Sequence, residues 1–187
     1  MEIFVTASAL KQHLATLQQQ HKKIGFVPTM GALHDGHISL IQAAKAATEI
    51  VVCSIFVNPT QFNDPKDLEK YPRPIEHDKA LLTAANCDIL FLPEVNVMYP
   101  ENDPHWEIDL GNLDQIWEGE HRPGHFQGVT QIVYKLFQLV NPDIAFFGQK
   151  DFQQVMVIQR MIVEKALTVK LHIVPTLRDA HGLALSS

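Results

Sequence analysis

The stretch Gly25-Phe26-Val27-Pro28-Thr29-Met30-Gly31-Ala32-Leu33-His34-Asp35-Gly36-His37-Ile38-Ser39-Leu40-Ile41 restricts the fold of this chain more than any other. A short apolar strand, Ile24–Val27, meets a turn punctuated by glycines. An amphipathic helix follows over about 37–48, with Ile38, Leu40, Ile41 and Ala44 on or near one face. That helix should open at Gly36 or His37. Its first turn then carries backbone N–H groups without intrahelical partners and the positive end of the helix dipole, so an anion fits at its mouth. Gly31 and Gly36 permit tight turning and close approach of backbone to a ligand, and His34 and His37 can each present a ring N–H to an oxyanion. The pattern is not a P-loop, because no Gly-Lys-Ser/Thr follows, and it is not the Gly-x-Gly-x-x-Gly dinucleotide fingerprint. Two ordinary turn histidines would look the same in isolation; the strand before and the helix after favour an anion site.

Units of the same kind recur along the chain. Residues 7–21 carry Leu10, Leu14 and Leu17 among Gln and Lys, with Ser8 as a candidate cap, and read as a surface helix packed on one side. An almost wholly apolar strand spans about 50–57, as expected of a parallel strand covered on both faces. Pro59 ends its ladder, and a loop rich in Pro, Asp and Lys runs to Pro74. A helix near 75–86 feeds a strand at Ile89–Leu92. The span 93–124, with Pro93, Pro100, Pro104 and Pro123, reads as an extended excursion over the sheet. From His125, apolar residues recur at helical spacing (Val129, Ile132, Val133, Leu136, Phe137, Val140) until Asn141-Pro142-Asp143 stops them. A strand at Ile144–Phe147, a turn at Gly148-Gln149-Lys150-Asp151, a helix at Gln153–Glu164 and a strand at Val169–Val174 complete the pattern. The implied fold is α/β, a Rossmann-like doubly wound parallel sheet of about five strands with helices on both faces. In such sheets ligands sit beyond the carboxyl ends of the strands, which is where the polar segments Thr29–His37, Asn58–Gln61, Gly148–Gln154 and Arg178–Ser187 fall.

Composition narrows the partners. The 187 residues, 46% hydrophobic, suffice for one sizeable core. A formal net charge of −6 and the absence of a Lys/Arg cluster argue against nucleic acid, so an anionic ligand must be held by local donors. Cys53 and Cys87 each lie in an apolar run and read as buried thiols rather than a disulfide or metal pair. With no signal peptide or membrane-spanning run, a cytoplasmic protein without membrane contact is the expectation. A zinc site at His34 and His37 lacks two further ligands at recognisable spacing.

His34-Asp35-Gly36-His37 at a strand-to-helix junction resembles the ATP-binding signature of the nucleotidyltransferase and class I synthetase superfamily. A transferase acting on a phosphorylated substrate would need a second basic pocket. Five further segments make the likeness specific: Pro28–His37 as a whole, Phe56-Val57-Asn58-Pro59-Thr60-Gln61-Phe62, Tyr71-Pro72-Arg73, Arg122-Pro123-Gly124-His125-Phe126-Gln127-Gly128-Val129, and Phe147-Gly148-Gln149-Lys150-Asp151-Phe152-Gln153-Gln154. Together, over essentially the whole chain, they resemble the pantothenate synthetase family.

That resemblance implies ATP- and magnesium-dependent condensation of pantoate with β-alanine through a pantoyl adenylate, in a homodimer. It implies that residues 1–187 form the N-terminal nucleotide- and pantoate-binding domain, a C-terminal lid domain lying outside them, so that this chain alone would turn over weakly or not at all. His37, His34 and Lys150 take the catalytic roles. ATP contacts are expected from Met30, Gly31, Ala32, Leu33, His34, Asp35, Gly36, His37, Gly148, Gln149, Lys150, Asp151, Leu177, Leu185, Ser186 and Ser187. Gln61, Gln154, Asn58, Met30 and Val129 would hold pantoate, with Gln61 also on the β-alanine side. Arg122 and His125 would attract anions, and Asp78 would stand on the magnesium side, although its reading as the start of a helix stands ahead of that one. Leu185 replaces a frequent methionine and Gln149 a frequent glutamate, neither change removing a charge the phosphates need.

Overall fold

The structure, a computed structural model, describes residues 1–186. Six parallel strands form one sheet: β1 (Glu2–Phe4), β2 (Ile24–Thr29), β3 (Ile50–Ile55), β4 (Ile89–Phe91), β5 (Ile144–Gly148) and β6 (Lys170–Val174), in the order β1-β4-β3-β2-β5-β6. The helices are α1 (Ala7–Gln19), α2 (Asp35–Ala47), α3 (Pro65–Lys70), α4 (Ile75–Ala84), α5 (Val95–Met98), α6 (Glu118–His121), α7 (His125–Val140) and α8 (Phe152–Glu164). The sequence reading missed β1, because three residues at a sheet edge are too short to show a period. It pairs with β4 from Glu2↔Ile89 to Phe4↔Phe91.

Alternation along the strands divides the core into two layers. Phe26 and Val52 face a cluster with Leu10, Leu14, Phe126, Phe137 and Ile158 on α1, α7 and α8, while their neighbours Val27 and Val51 face Leu40, Ile41 and Leu82 on α2 and α4. Strands buried on both faces need apolar residues at every position, which is why β3 reads as a continuous apolar run. Cys53 and Cys87 are free thiols buried in this core, as expected.

Local chemistry shifts several boundaries. Thr6 rather than Ser8 caps α1, its hydroxyl accepting from the Ala9 N–H. The helix α2 begins at Asp35, with His34 as its N-cap. The expected loop to Pro74 contains a 3-10 turn at Pro59–Gln61 and α3, capped by Asp64. The excursion 93–124 carries α5 and α6 and is anchored by buried Met98, Ile108 and Leu110.

The order in which the chain adds strands reverses at β2. From there the chain winds outward through β3 and β4, then returns to place β5 on the other side. Pairing between β2 and β5 covers only Gly25↔Ile144 and Phe26↔Ala145. Pro28, lacking an N–H, lies beyond the last pair, and the carboxyl ends of the two strands part there to leave a cleft, at the switch point where α/β sheets bind ligands. Among the described residues no helix is long and apolar enough to cross a membrane.

Candidate active site

The cleft between the ends of β2 and β5 has a volume of about 380 Å³. His34, His37, Lys150, Gln61 and Gln154, read from five separate motif positions, all line it. So do Met30, Asn58, Val129, Gly36, Gly148, Asp151, Leu177, Leu185 and Ser186 from the expected set. Gly31, Ala32, Leu33, Asp35 and Gln149 do not, and Ser187 lies outside the described residues.

The two histidines build their own helix cap. His34 Nδ1 accepts from the Gly36 N–H at 3.0 Å, and His37 Nδ1 accepts from the His34 N–H at 3.3 Å, which brings the ring centroids to 4.2 Å. With Nδ1 an acceptor in both, each neutral ring carries its proton on Nε2. Burial, then the neighbouring His34 and then the Lys150 charge push the His37 pKa down to about 4; burial and Lys150 lower that of His34 as well. Near neutral pH the pair therefore offers N–H donors rather than fixed charges. Lys150, exposed after the carboxyl end of β5, supplies the cation and makes no ion pair among the described residues.

The opposite wall is bonded internally. Gln61, 7% exposed, accepts at Oε1 from Asn58 Nδ2 (3.1 Å), and its own Nε2 donates weakly to Met30 Sδ (3.0 Å). Asn58, 1% exposed, has no capacity left. Its amide also donates to the Gly128 carbonyl (3.1 Å), and its Oδ1 accepts from the hydroxyls of Tyr99 (2.7 Å) and Thr60 (3.2 Å). Asn58, expected as a pantoate contact, lines the cleft and also orients Gln61. Gly128 lets α7 press against this turn, since a Cβ there would lie 2.5 Å from the Thr60 carbonyl oxygen and 2.9 Å from the Gln61 nitrogen.

Three expected contacts are corrected. His125 Nδ1–H donates to the Gln61 carbonyl at 2.8 Å, and Arg122 pairs with Glu118 and reaches the same carbonyl at 3.4 Å. Neither lines the cleft; both brace Gln61 from behind. Burial lowers the His125 pKa, so it too is neutral near pH 7. Asp78 is wholly buried, with Oδ2 accepting from the Ala32 N–H (2.9 Å) and Oδ1 from the Leu33 N–H (2.8 Å). Fully buried, it does not line the cleft. Among the described residues no three His, Cys, Asp or Glu side chains group to hold a metal.

Sequence reasoning missed the apolar floor. Ile132, Val133 and Leu136 line the cleft beside Val129, with Phe56, Leu40 and Phe147 around them. The helical stripe was visible, but a stripe facing a core and one flooring a pocket have the same spacing.

Residues 2–187 match the model of the family described as Pantoate-beta-alanine ligase. Pantothenate synthetase of Porphyromonas gingivalis is 54% identical over 187 residues, all of this chain and 66% of that protein. The structure resembles the pantoate-beta-alanine ligase of Francisella tularensis complexed with beta-gamma ATP and beta-alanine, with a TM-score of 0.95 and 41% identity, covering 100% of this chain and 71% of that one. It also resembles the pantothenate synthetase of Thermus thermophilus, with a TM-score of 0.93 and 45% identity, covering 100% of this chain and 66% of that one. The chain thus spans about two thirds of the length of these relatives.

Proposed function

Since the chain belongs to the pantoate-β-alanine ligase family, we propose that it binds ATP and pantoate and serves the condensation of (R)-pantoate with β-alanine to pantothenate, releasing AMP and pyrophosphate. The observation that carries this reading is the convergence of His37, Lys150, Gln61 and Gln154 on one cleft. One wall offers two imidazole N–H donors and an ammonium at a helix mouth, suited to a triphosphate. The other offers side-chain amides above an apolar floor, suited to a small acid with two hydroxyls and a gem-dimethyl carbon. A transferase for a phosphorylated second substrate would want cations where the glutamines stand.

The chemistry follows from the groups present. A carboxylate is a poor acylating agent because its leaving group would be an oxide. In the first half-reaction the ionised pantoate carboxylate attacks the α-phosphorus, the bond to the β-phosphate oxygen breaks, and pyrophosphate departs. No base is needed. Neutral His37, donating through Nε2, and Lys150 stabilise the charge that builds on the phosphate oxygens, while the glutamines align the nucleophile. The neutral amine of β-alanine, on the Gln61 side, then attacks the acyl carbon and displaces AMP. Magnesium belongs to this reading as a companion of the triphosphate, part of the substrate rather than a resident of the protein. The reading further takes residues 1–187 as the N-terminal domain of a cytoplasmic homodimer whose lid lies outside this chain.

Pantoate-dependent AMP formation tests it, measured with ATP, pantoate and β-alanine on residues 1–187 and on the same chain joined to the remaining third of a relative. The joined chain is expected to release AMP only when pantoate is present, and residues 1–187 to bind both ligands with little turnover. A joined chain that binds ATP but is indifferent to pantoate would falsify the assignment, and full activity from residues 1–187 would remove the need for a lid.

A further inference from the structure

Two successive residues of the turn after β2 adopt left-handed backbone, Gly31 at φ +85° and Ala32 at φ +50°. Leu33 returns to negative φ, and successive amides across such a change of hand converge on one point and make a concavity that binds anions. Here the concavity is already filled. The Asp78 carboxylate, in the first turn of α4, takes the Ala32 N–H on one oxygen and the Leu33 N–H on the other, and makes no ion pair among the described residues. A wholly buried, unpaired carboxylate is unfavourable in itself, and its two charge-assisted amide bonds are what offset that. The fit is close from the other side also: a Cβ on Gly31 would lie 3.0 Å from Ile55 Cγ2 and 3.1 Å from Asp78 Oδ2.

The clamped amides lead directly into the cleft. Leu33 is followed by His34, whose N–H bonds His37 Nδ1 and whose own Nδ1 accepts from Gly36. Any turn of the Ala32–Leu33 peptides rotates the His34 N–H and breaks the bond that gives His37 its tautomer. We infer that Asp78 is a positioning residue for the ATP wall. It occupies the anion concavity with the protein's own carboxylate, and so directs a triphosphate to the mouth of α2 while holding both imidazoles with Nε2–H toward the cleft. The inference rests on the reading of that wall as an ATP site. Asparagine cannot substitute, because its NH2 would face one of the two N–H donors.

The test compares Asp78→Asn with Leu82→Ala, a core change on the same helix that touches neither histidine. The readouts are the imidazole 15N shifts of His34 and His37 at neutral pH in the ligand-free protein, and ATP and pantoate binding by calorimetry. Asp78→Asn is expected to turn both rings into tautomer mixtures and to weaken ATP binding by about tenfold to 100-fold, with pantoate binding unchanged. Leu82→Ala should lower Tm and leave the tautomers alone. If Asp78→Asn does not fold, Gly31→Ala disturbs the same clamp from the turn side and should give the same 15N change. Unaltered Nε2–H tautomers in both variants would overturn the inference. An unmutated chain that ignores ATP would instead overturn the ATP reading, and the 15N comparison would still decide the role of Asp78.

Discussion

The two walls of the cleft are made in opposite ways. On the β3 side, Gln61 and Asn58 are buried, and Asn58 has every hydrogen-bonding position filled by protein. On the β5 side, Lys150 and Asp151 are exposed and make no ion pair among the described residues. On the proposed reading, the difference matches what each wall would recognise. A compact acid with hydroxyls is distinguished by geometry, so Gln61 is fixed before it arrives, and fixing it requires a back layer of Tyr99, Thr60, His125 and Gly128 around Asn58 and Gln61. A triphosphate is recognised largely by charge, and an exposed ammonium can adjust to it.

The sharpest way to break this comparison is to remove donors from the charged wall. Lys150→Ala or His37→Gln should slow pantoate-dependent AMP formation in the joined chain by about 100- to 1,000-fold, while calorimetry shows pantoate binding unchanged. An equal loss of pantoate binding would mean that the walls are one network. Gln61→Ala or Gln154→Ala should do the converse, raising the pantoate KM by about tenfold to 100-fold, the range for hydrogen bonds to a charged group, with ATP affinity intact.

A third change separates positioning from contact. Asn58→Ala removes a partner from Gln61 Oε1, the Gly128 carbonyl and the Tyr99 hydroxyl, so the folded state should lose about 1–3 kcal/mol, read from denaturant midpoints, and pantoate should bind more weakly. A stable Asn58→Ala protein with weakened pantoate binding would show instead that Asn58 touches the substrate directly.

The same contrast explains what the sequence could reveal. Of the residues that line the cleft, His34, His37, Lys150, Gln61 and Gln154 combine an unusual type with a place at a strand end and were legible on both counts. Residues that act through others were not. Gln153 and Gln154 are adjacent and chemically identical. Yet Gln154 lines the cleft, while Gln153 donates to the Leu113 and Ile116 carbonyls and accepts from the Glu118 N–H, tying the excursion to α8. Nothing local distinguishes them; the phase of α8 against a loop more than thirty residues upstream does. Asp78 begins a helix, as its favoured reading had it, but its bonds to the Ala32 and Leu33 amides, like those of Arg122 and His125 to the Gln61 carbonyl, were hidden for the same reason. A charge near a motif looks like a ligand for phosphate or metal until the backbone groups it bonds are known, and those come from distant parts of the chain. The fold was more legible because apolar runs and helical stripes repeat over many residues, whereas β1 spans only three.

Acidification probes the imidazoles without mutation. The folded pKa of His37, about 4, lies below its ordinary value of 6.5, so between these values the unfolded chain binds more protons than the folded one. Stability is therefore lost as pH falls from about 6.5 to 4 and is flat above this window as far as His37 is concerned. Tm measured against pH should trace that slope, and His37→Gln should make it shallower without abolishing it, since His34 and His125 are lowered as well. ATP, by bringing negative charge to the ring, should raise the His37 pKa; a pKa unmoved by bound ATP would place the triphosphate away from the imidazole.

The smallest expected effect is also discriminating. Arg122 looks from sequence like an anion trap, but it pairs with Glu118 on a partly exposed surface and only grazes the Gln61 carbonyl, which His125 already bonds at 2.8 Å. Exposed pairs of this kind contribute about 0–1 kcal/mol. Arg122→Ala should therefore leave the calorimetric affinity for ATP within about twofold and cost pantoate binding little more, because His125 still holds the turn. If ATP affinity instead falls tenfold, the guanidinium reaches the nucleotide in the bound state. The bonded wall would then share in charge recognition, and the division of labour between the two walls would have to be withdrawn.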